Sequence, residues 1–133
     1  MAFLKVSSIS KKGEGDFQLS DISFSLKKFE RLAIAGETGA GKSTMLKIIA
    51  GLVQPDSGEV LFNDEKVAGP DDKLVPGHAE IAFLSQHFEL PKFLRVEQIL
   101  AYANSLNEDE AGNVYEICQI NHLLKRNTDQ LSG

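Results

Sequence analysis

The chain opens with two stretches in which apolar and polar residues alternate. Residues 3–9 carry the period of a half-buried strand, Lys11-Lys12-Gly13-Glu14-Gly15-Asp16 reads as a solvated turn, and residues 17–26 alternate again with Leu19, Ile22, Phe24 and Leu26 as the apolar set. A polar turn at residues 27–30 leads into residues 31–35, a short apolar run that predicts a central parallel strand buried on both faces. From Gly41 onward Met45, Leu46, Ile48, Ile49, Leu52 and Val53 recur at helical spacing, while Gly51 suits a left-handed cap and Pro55 bars continuation. Residues 58–62 and 66–67 flank Asn63-Asp64-Glu65 as a hairpin, residues 68–77 have loop composition, and residues 80–84 predict one more strand. Beyond them the period turns helical, with Val96, Ile99, Leu100 and Tyr102 in residues 96–106 and Val114, Ile117, Cys118 and Ile120 in residues 109–124. A buried strand, a Gly-rich loop and a helix that follow one another directly predict an α/β fold.

Length and composition narrow the function classes. A chain of 133 residues suffices for one compact domain, and 42% apolar with 25% charged residues is ordinary for a globular protein. A formal net charge of -5, without a run of five basic residues, predicts no direct nucleic-acid partner. The start, Met1-Ala2-Phe3-Leu4-Lys5, has neither the form of a signal peptide nor of an anchor, and no stretch approaches the roughly 18 apolar residues of a membrane span. Cys118 is the single cysteine, has no neighbouring zinc ligands, and reads as packing.

The chemistry concentrates between the apolar run and the first helix. Gly36-Glu37-Thr38-Gly39-Ala40-Gly41-Lys42-Ser43 matches the phosphate-loop pattern at every defined position. Glycines allow backbone torsions closed to other residues and let several N–H groups converge on phosphate oxygens. Lys42 supplies a point charge for the β and γ phosphates, Ser43 a hard oxygen of the type Mg²⁺ prefers, and the following helix aims the positive end of its dipole at the anion. Thr44 adds a further donor. The loop is expected to bind a nucleoside triphosphate, with Mg-ATP as the leading candidate.

What surrounds the loop resembles the N-terminal part of an ABC transporter ATP-binding subunit, from near residue 3 to the end. Leu19-Ser20-Asp21-Ile22-Ser23-Phe24 is similar to the family's strand before the loop, residues 36–44 to its Walker A, and Gln54-Pro55-Asp56-Ser57-Gly58-Glu59-Val60 to the segment after the first helix. Ile81-Ala82-Phe83-Leu84-Ser85-Gln86 resembles the strand leading into the Q-loop, and Leu131-Ser132-Gly133 the opening of the signature motif. The order of these features carries more weight than any one of them.

The resemblance implies a P-loop core sheet with an antiparallel β portion and a helical subdomain, truncated before the second half of the core. It divides the chain into residues 1–87, the P-loop core and antiparallel portion, and residues 88–133, the helical subdomain leading to the signature motif. It also implies that Lys42 and Gln86 serve catalysis, that Ser43 and Gln86 meet Mg²⁺, and that Ser132 and Gly133 close over the nucleotide of a second nucleotide-binding domain in a head-to-tail dimer. Phe17 is the nearest candidate for stacking on adenine. A transmembrane transporter subunit or domain would be the other partner, placing the protein peripherally on the cytoplasmic face of a membrane.

Hydrolysis in this class needs carboxylates at the end of a later apolar strand. Val60-Leu61-Phe62-Asn63-Asp64 imitates such a strand, but follows the loop helix too soon and reads as a hairpin turn. Turnover by these residues alone is therefore expected to be weak or absent. The competing readings are a nucleotide-binding or regulatory module without hydrolysis, and another P-loop NTPase such as a kinase or GTPase. Of the three histidines none carries a motif, and His87, next to Gln86, is the one placed to approach the nucleotide.

Overall fold

The computed structural model describes residues 2–13, 18–87 and 90–131. They divide into two compact units, Met1–Phe83 and Leu84–Gly133. In the first unit, β1 (Leu4–Lys12), β2 (Gln18–Leu26), β3 (Ser57–Phe62) and β4 (Glu65–Lys66) form an antiparallel sheet in the order β2-β1-β3-β4.

The central strand β1 holds the sheet's main irregularity. Val6 pairs with Phe24 and Ile9 with Ile22, with a register shift between them, and Ser8 sits at φ 50°. A single extra residue reverses the parity of a strand, so Val6 and Ile9, an odd number of positions apart, both reach the core and both are buried. The bulge frees main-chain donors, and serines take them up. Ser23 Oγ accepts the Ser8 N–H at 2.8 Å, and Ser10 Oγ accepts the N–H of Asp21, itself at φ 48°, at 3.0 Å.

Asn63 and Asp64, at φ 50° and 63°, make the two-residue turn between β3 and β4, so Asp64 is a turn residue and not the end of a catalytic strand. Helix α1 (Lys42–Ile49) follows the phosphate-loop segment and buries Met45 and Ile48. These join Val6, Ile9, Leu19, Val60 and Val67 in one core, with Ile34 and Ile81 packed at its margin. The C-terminus of α1 closes as the sequence predicts. Gly51, at φ 77°, donates to Ile48 C=O at 3.1 Å, and Leu52 donates to Lys47 C=O at 2.8 Å, the two bonds of a Schellman cap. A side chain at Gly51 would press on Ala68 C=O at 3.0 Å. Gly77 and His78 donate to the carbonyls of Gly51 and Ala50, satisfying acceptors at the end of α1.

Two expected strands do not form. Residues 31–35 and 80–84 pair with no described strand, although Ile34 and Ile81 still pack on the core. A parallel strand exists through its ladder to neighbours, and among the described residues the sheet is antiparallel and supplies none. Apolar content brought both segments to the core without giving them a partner.

The second unit contains α2 (Val96–Ala103), α3 (Glu108–Ile117) and two single 3-10 turns, Asn121–Leu123 and Thr128–Gln130. Asn107 caps α3, its side-chain oxygen accepting the Glu110 N–H at 2.9 Å, and Glu108, Asp109 and Glu110 favour the positive end of the helix. The expected helix over residues 109–124 is thus shorter. It stops at Ile117, because Gln119 adopts φ 56° and donates to Glu116 C=O while Ile120 donates to Tyr115 C=O. Cys118, read as a packing residue, is exposed at this cap, and Ile117 is exposed too. No helix among the described residues is long and apolar enough to cross a membrane.

Candidate functional site: the phosphate loop

The segment between Ile34 and α1 turns twice. Ala40 N–H donates to Glu37 C=O at 3.1 Å, closing a tight turn whose third residue, Gly39, has φ 85°. Gly41, the residue before the helix, has φ 94° and ψ 14°. Both are left-handed conformations that cost an L-residue roughly 1–2 kcal/mol. Gly36 differs. A Cβ there would lie 3.4 Å from Ala40 Cβ, an ordinary contact, so its need for glycine does not come from strain within the loop.

The first hydrogen bond of α1 runs from Met45 N–H to Gly41 C=O at 2.9 Å. The N–H groups of Lys42, Ser43 and Thr44 precede it and are the donors that every helix leaves without an internal acceptor. They point out of the helix N-terminus together with its positive dipole end. Lys42 is a cation in the first turn of that helix, and the turn has no acidic residue to offset it. A lysine here is unfavourable for the helix alone. Its Nζ instead donates to Gly36 C=O at 2.5 Å and Glu37 C=O at 2.6 Å, folding the side chain back over the loop.

Residues 36–40 are exposed, Lys42 and Thr44 are half-buried, and Ser43 between them is exposed. Convergent donors, one ammonium and one hard oxygen fit a polyphosphate. For Mg²⁺ the first unit offers Ser43, and no group of three or more His, Cys, Asp or Glu among the described residues could hold a metal. Ser43 is thus the group of the first unit whose chemistry suits a magnesium ion.

The other site residues expected from the sequence belong to the second unit or fall outside the described residues. Gln86 and His87 are exposed in a turn of the second unit. His78 is half-buried; its Nδ1 accepts the Glu80 N–H at 3.1 Å and its ring meets the edge of Phe62, which gives it a structural place in the loop. Phe17, Ser132 and Gly133 are outside the described residues.

A family model described as ABC transporter matches residues 19–133. The molybdate/tungstate import ATP-binding protein of Thermococcus kodakarensis is 34% identical over 137 residues, covering 98% of this chain and 40% of that protein. A lipoprotein-releasing system ATP-binding protein of Cytophaga hutchinsonii is 36% identical over 124 residues, covering 86% of this chain and 57% of that one. Among solved structures, the ATP binding subunit of an ABC transporter superposes with a TM-score of 0.76 at 26% identity, over 98% of this chain and 56% of that one. A nucleotide-free ATP-binding cassette from an ABC transporter gives 0.67 at 25% identity, over 99% of this chain and 60% of that one. The chain thus spans about 40–60% of the length of these relatives. It belongs to the ABC transporter family.

Proposed function

We propose that residues 36–44 hold the triphosphate of ATP together with Mg²⁺, and that the chain is the nucleotide-binding part of an ATPase subunit that powers solute movement through a transmembrane partner. The observation that carries this reading is the loop itself. Two left-handed glycines, three outward amides and a back-folded lysine stand at one helix N-terminus.

In this reading the amides of residues 38–44 bind phosphate oxygens and orient the chain of phosphates along the loop. Lys42 exchanges its two carbonyl acceptors for β- and γ-phosphate oxygens and neutralises their charge. Because those carbonyls already hold the ammonium near the loop, little side-chain freedom is left to lose on binding. Ser43 and Gln86 are the residues that would hold Mg²⁺, which when bound would supply positive charge against that of the phosphates. Phe17 is the candidate to stack on the base. Ser132 and Gly133 would close over nucleotide on a second nucleotide-binding domain in a head-to-tail dimer. The membrane partner would place the protein on the cytoplasmic face.

Phosphate release from Mg-ATP by the natural polypeptide that carries this sequence tests the proposal. The expected result is turnover that falls to background in Lys42→Ala, with ATP preferred to GTP. Binding without release above that background would instead make the protein a nucleotide-binding module. A preference for GTP would contradict the transporter reading.

A further inference from the structure

In the second unit, the segment before α2 and the segment after Asn121–Leu123 are joined by hydrogen bonds that neither helix requires. Val96 N–H donates to Arg126 C=O at 2.9 Å and Glu97 N–H to Leu124 C=O at 2.8 Å. These are the first two amides of α2, which a helix normally leaves to water or to a cap. Arg95 and Asn127 form an antiparallel bridge. Thr128 then fastens the other end. Its N–H donates to Leu94 C=O at 2.9 Å, and its hydroxyl donates to Pro91 C=O at 2.6 Å.

The two sides are built alike. Gln98 Oε1 accepts the Arg95 N–H at 2.9 Å, and Gln130 Oε1 accepts the Asn127 N–H at 3.0 Å, so a glutamine three residues on holds each strand of the bridge in its extended form. Thr128 is half-buried, and its hydroxyl is the one side-chain group among the described residues that bonds across the two segments. Thr128 and Pro91 lie 37 positions apart in sequence, so local chain stiffness cannot account for the union of the two segments.

We infer that residues 91–97 and 124–128 move as one strap fastened by Thr128, and that Thr128 is a positioning residue that sets where the chain leading to Ser132 lies relative to the segment that follows Gln86. The functional half of this inference rests on the nucleotide reading proposed above, in which Gln86 and Ser132 act on opposite nucleotides. A displacement imposed near Gln86 then reaches the residues before Ser132 through carbonyl and amide contacts, without either helix having to unwind.

Hydrogen exchange of the natural polypeptide, followed by mass spectrometry on peptides spanning residues 91–98 and 124–131, tests the strap. The wild-type amides of Val96 and Glu97 should be protected although they belong to a helix N-terminus. Thr128→Val, which removes the hydroxyl and keeps the shape, should speed their exchange and that of Thr128 by about fivefold, the loss of one ordinary hydrogen bond. Thr128→Ser should restore it, and peptides covering α1 should exchange as in wild type in both variants. Unchanged exchange at Val96 and Glu97 in Thr128→Val overturns the strap. For the positioning role, Thr128→Val should lower kcat for ATP with KM unchanged and Thr128→Ser should recover it; faster exchange with unaltered kcat overturns that role. Full turnover in Lys42→Ala would overturn the nucleotide reading separately, since the exchange result does not depend on it.

Discussion

Gly58 sits where the bulge of β1 brings two carbonyls against β3. At φ 85°, a Cβ there would meet Ser7 C=O at 2.5 Å and Ser8 C=O closer still, so no rotation of a side chain relieves the clash. Gly58→Ala should destabilise the first unit by about 3 kcal/mol, combining left-handed strain with backbone displacement, read as a fall in the urea midpoint. The neighbouring Asp56 acts by charge. It accepts the Lys12 N–H at 2.8 Å and the Lys11 ammonium at 3.3 Å, and these bonds, the Lys12 amide first, hold its carboxyl below the usual aspartate value. A carboxyl with a depressed folded pKa adds stability that is complete above its unfolded pKa and disappears as pH falls through the folded one. Urea midpoints measured from about pH 6 down to pH 3 should therefore decline in wild type and decline less in Asp56→Asn, whose starting stability is lower.

At the scale of elements, what could be read from the sequence was what is decided locally. Gly51 marked the end of α1 because a left-handed cap there needs no Cβ, and Asn63-Asp64 marked a hairpin because both residues tolerate positive φ. The bulge at Ser8 was not legible, since a one-residue slip shows only in which side chains end up buried. Residues 31–35 and 80–84 carried strand composition, but strand formation depends on a neighbour that no local pattern supplies. The end of α3 carries no such mark for a related reason: its left-handed cap residue is Gln119, where a glycine would announce it. Gln119→Gly should accordingly stabilise the second unit by about 1 kcal/mol, relief of the αL penalty exceeding the added chain entropy, and slow exchange in the last turn of α3.

For the whole molecule, the phosphate loop belongs to the first unit, where α1 stands on the buried core through Met45 and Ile48. The loop was legible residue by residue, because each position is set by main-chain torsion or by charge at a helix end. The arrangement of Lys42 over Gly36 and Glu37 was not, being a choice of rotamer. The same core explains why the loop's glycines should respond differently. Gly41→Ala strains the main chain and should weaken both folding and binding, whereas Gly36→Ala should leave the melting temperature nearly unchanged, because its Cβ has room. The most direct test of the account is a calorimetric titration of the natural polypeptide with Mg-ATP, wild type beside Lys42→Ala. Saturable binding that weakens by about tenfold or more in the variant, the size of one charge-assisted contact to phosphate, is the predicted result. Equal affinity in the two folded proteins, or no binding to the wild type, would contradict it.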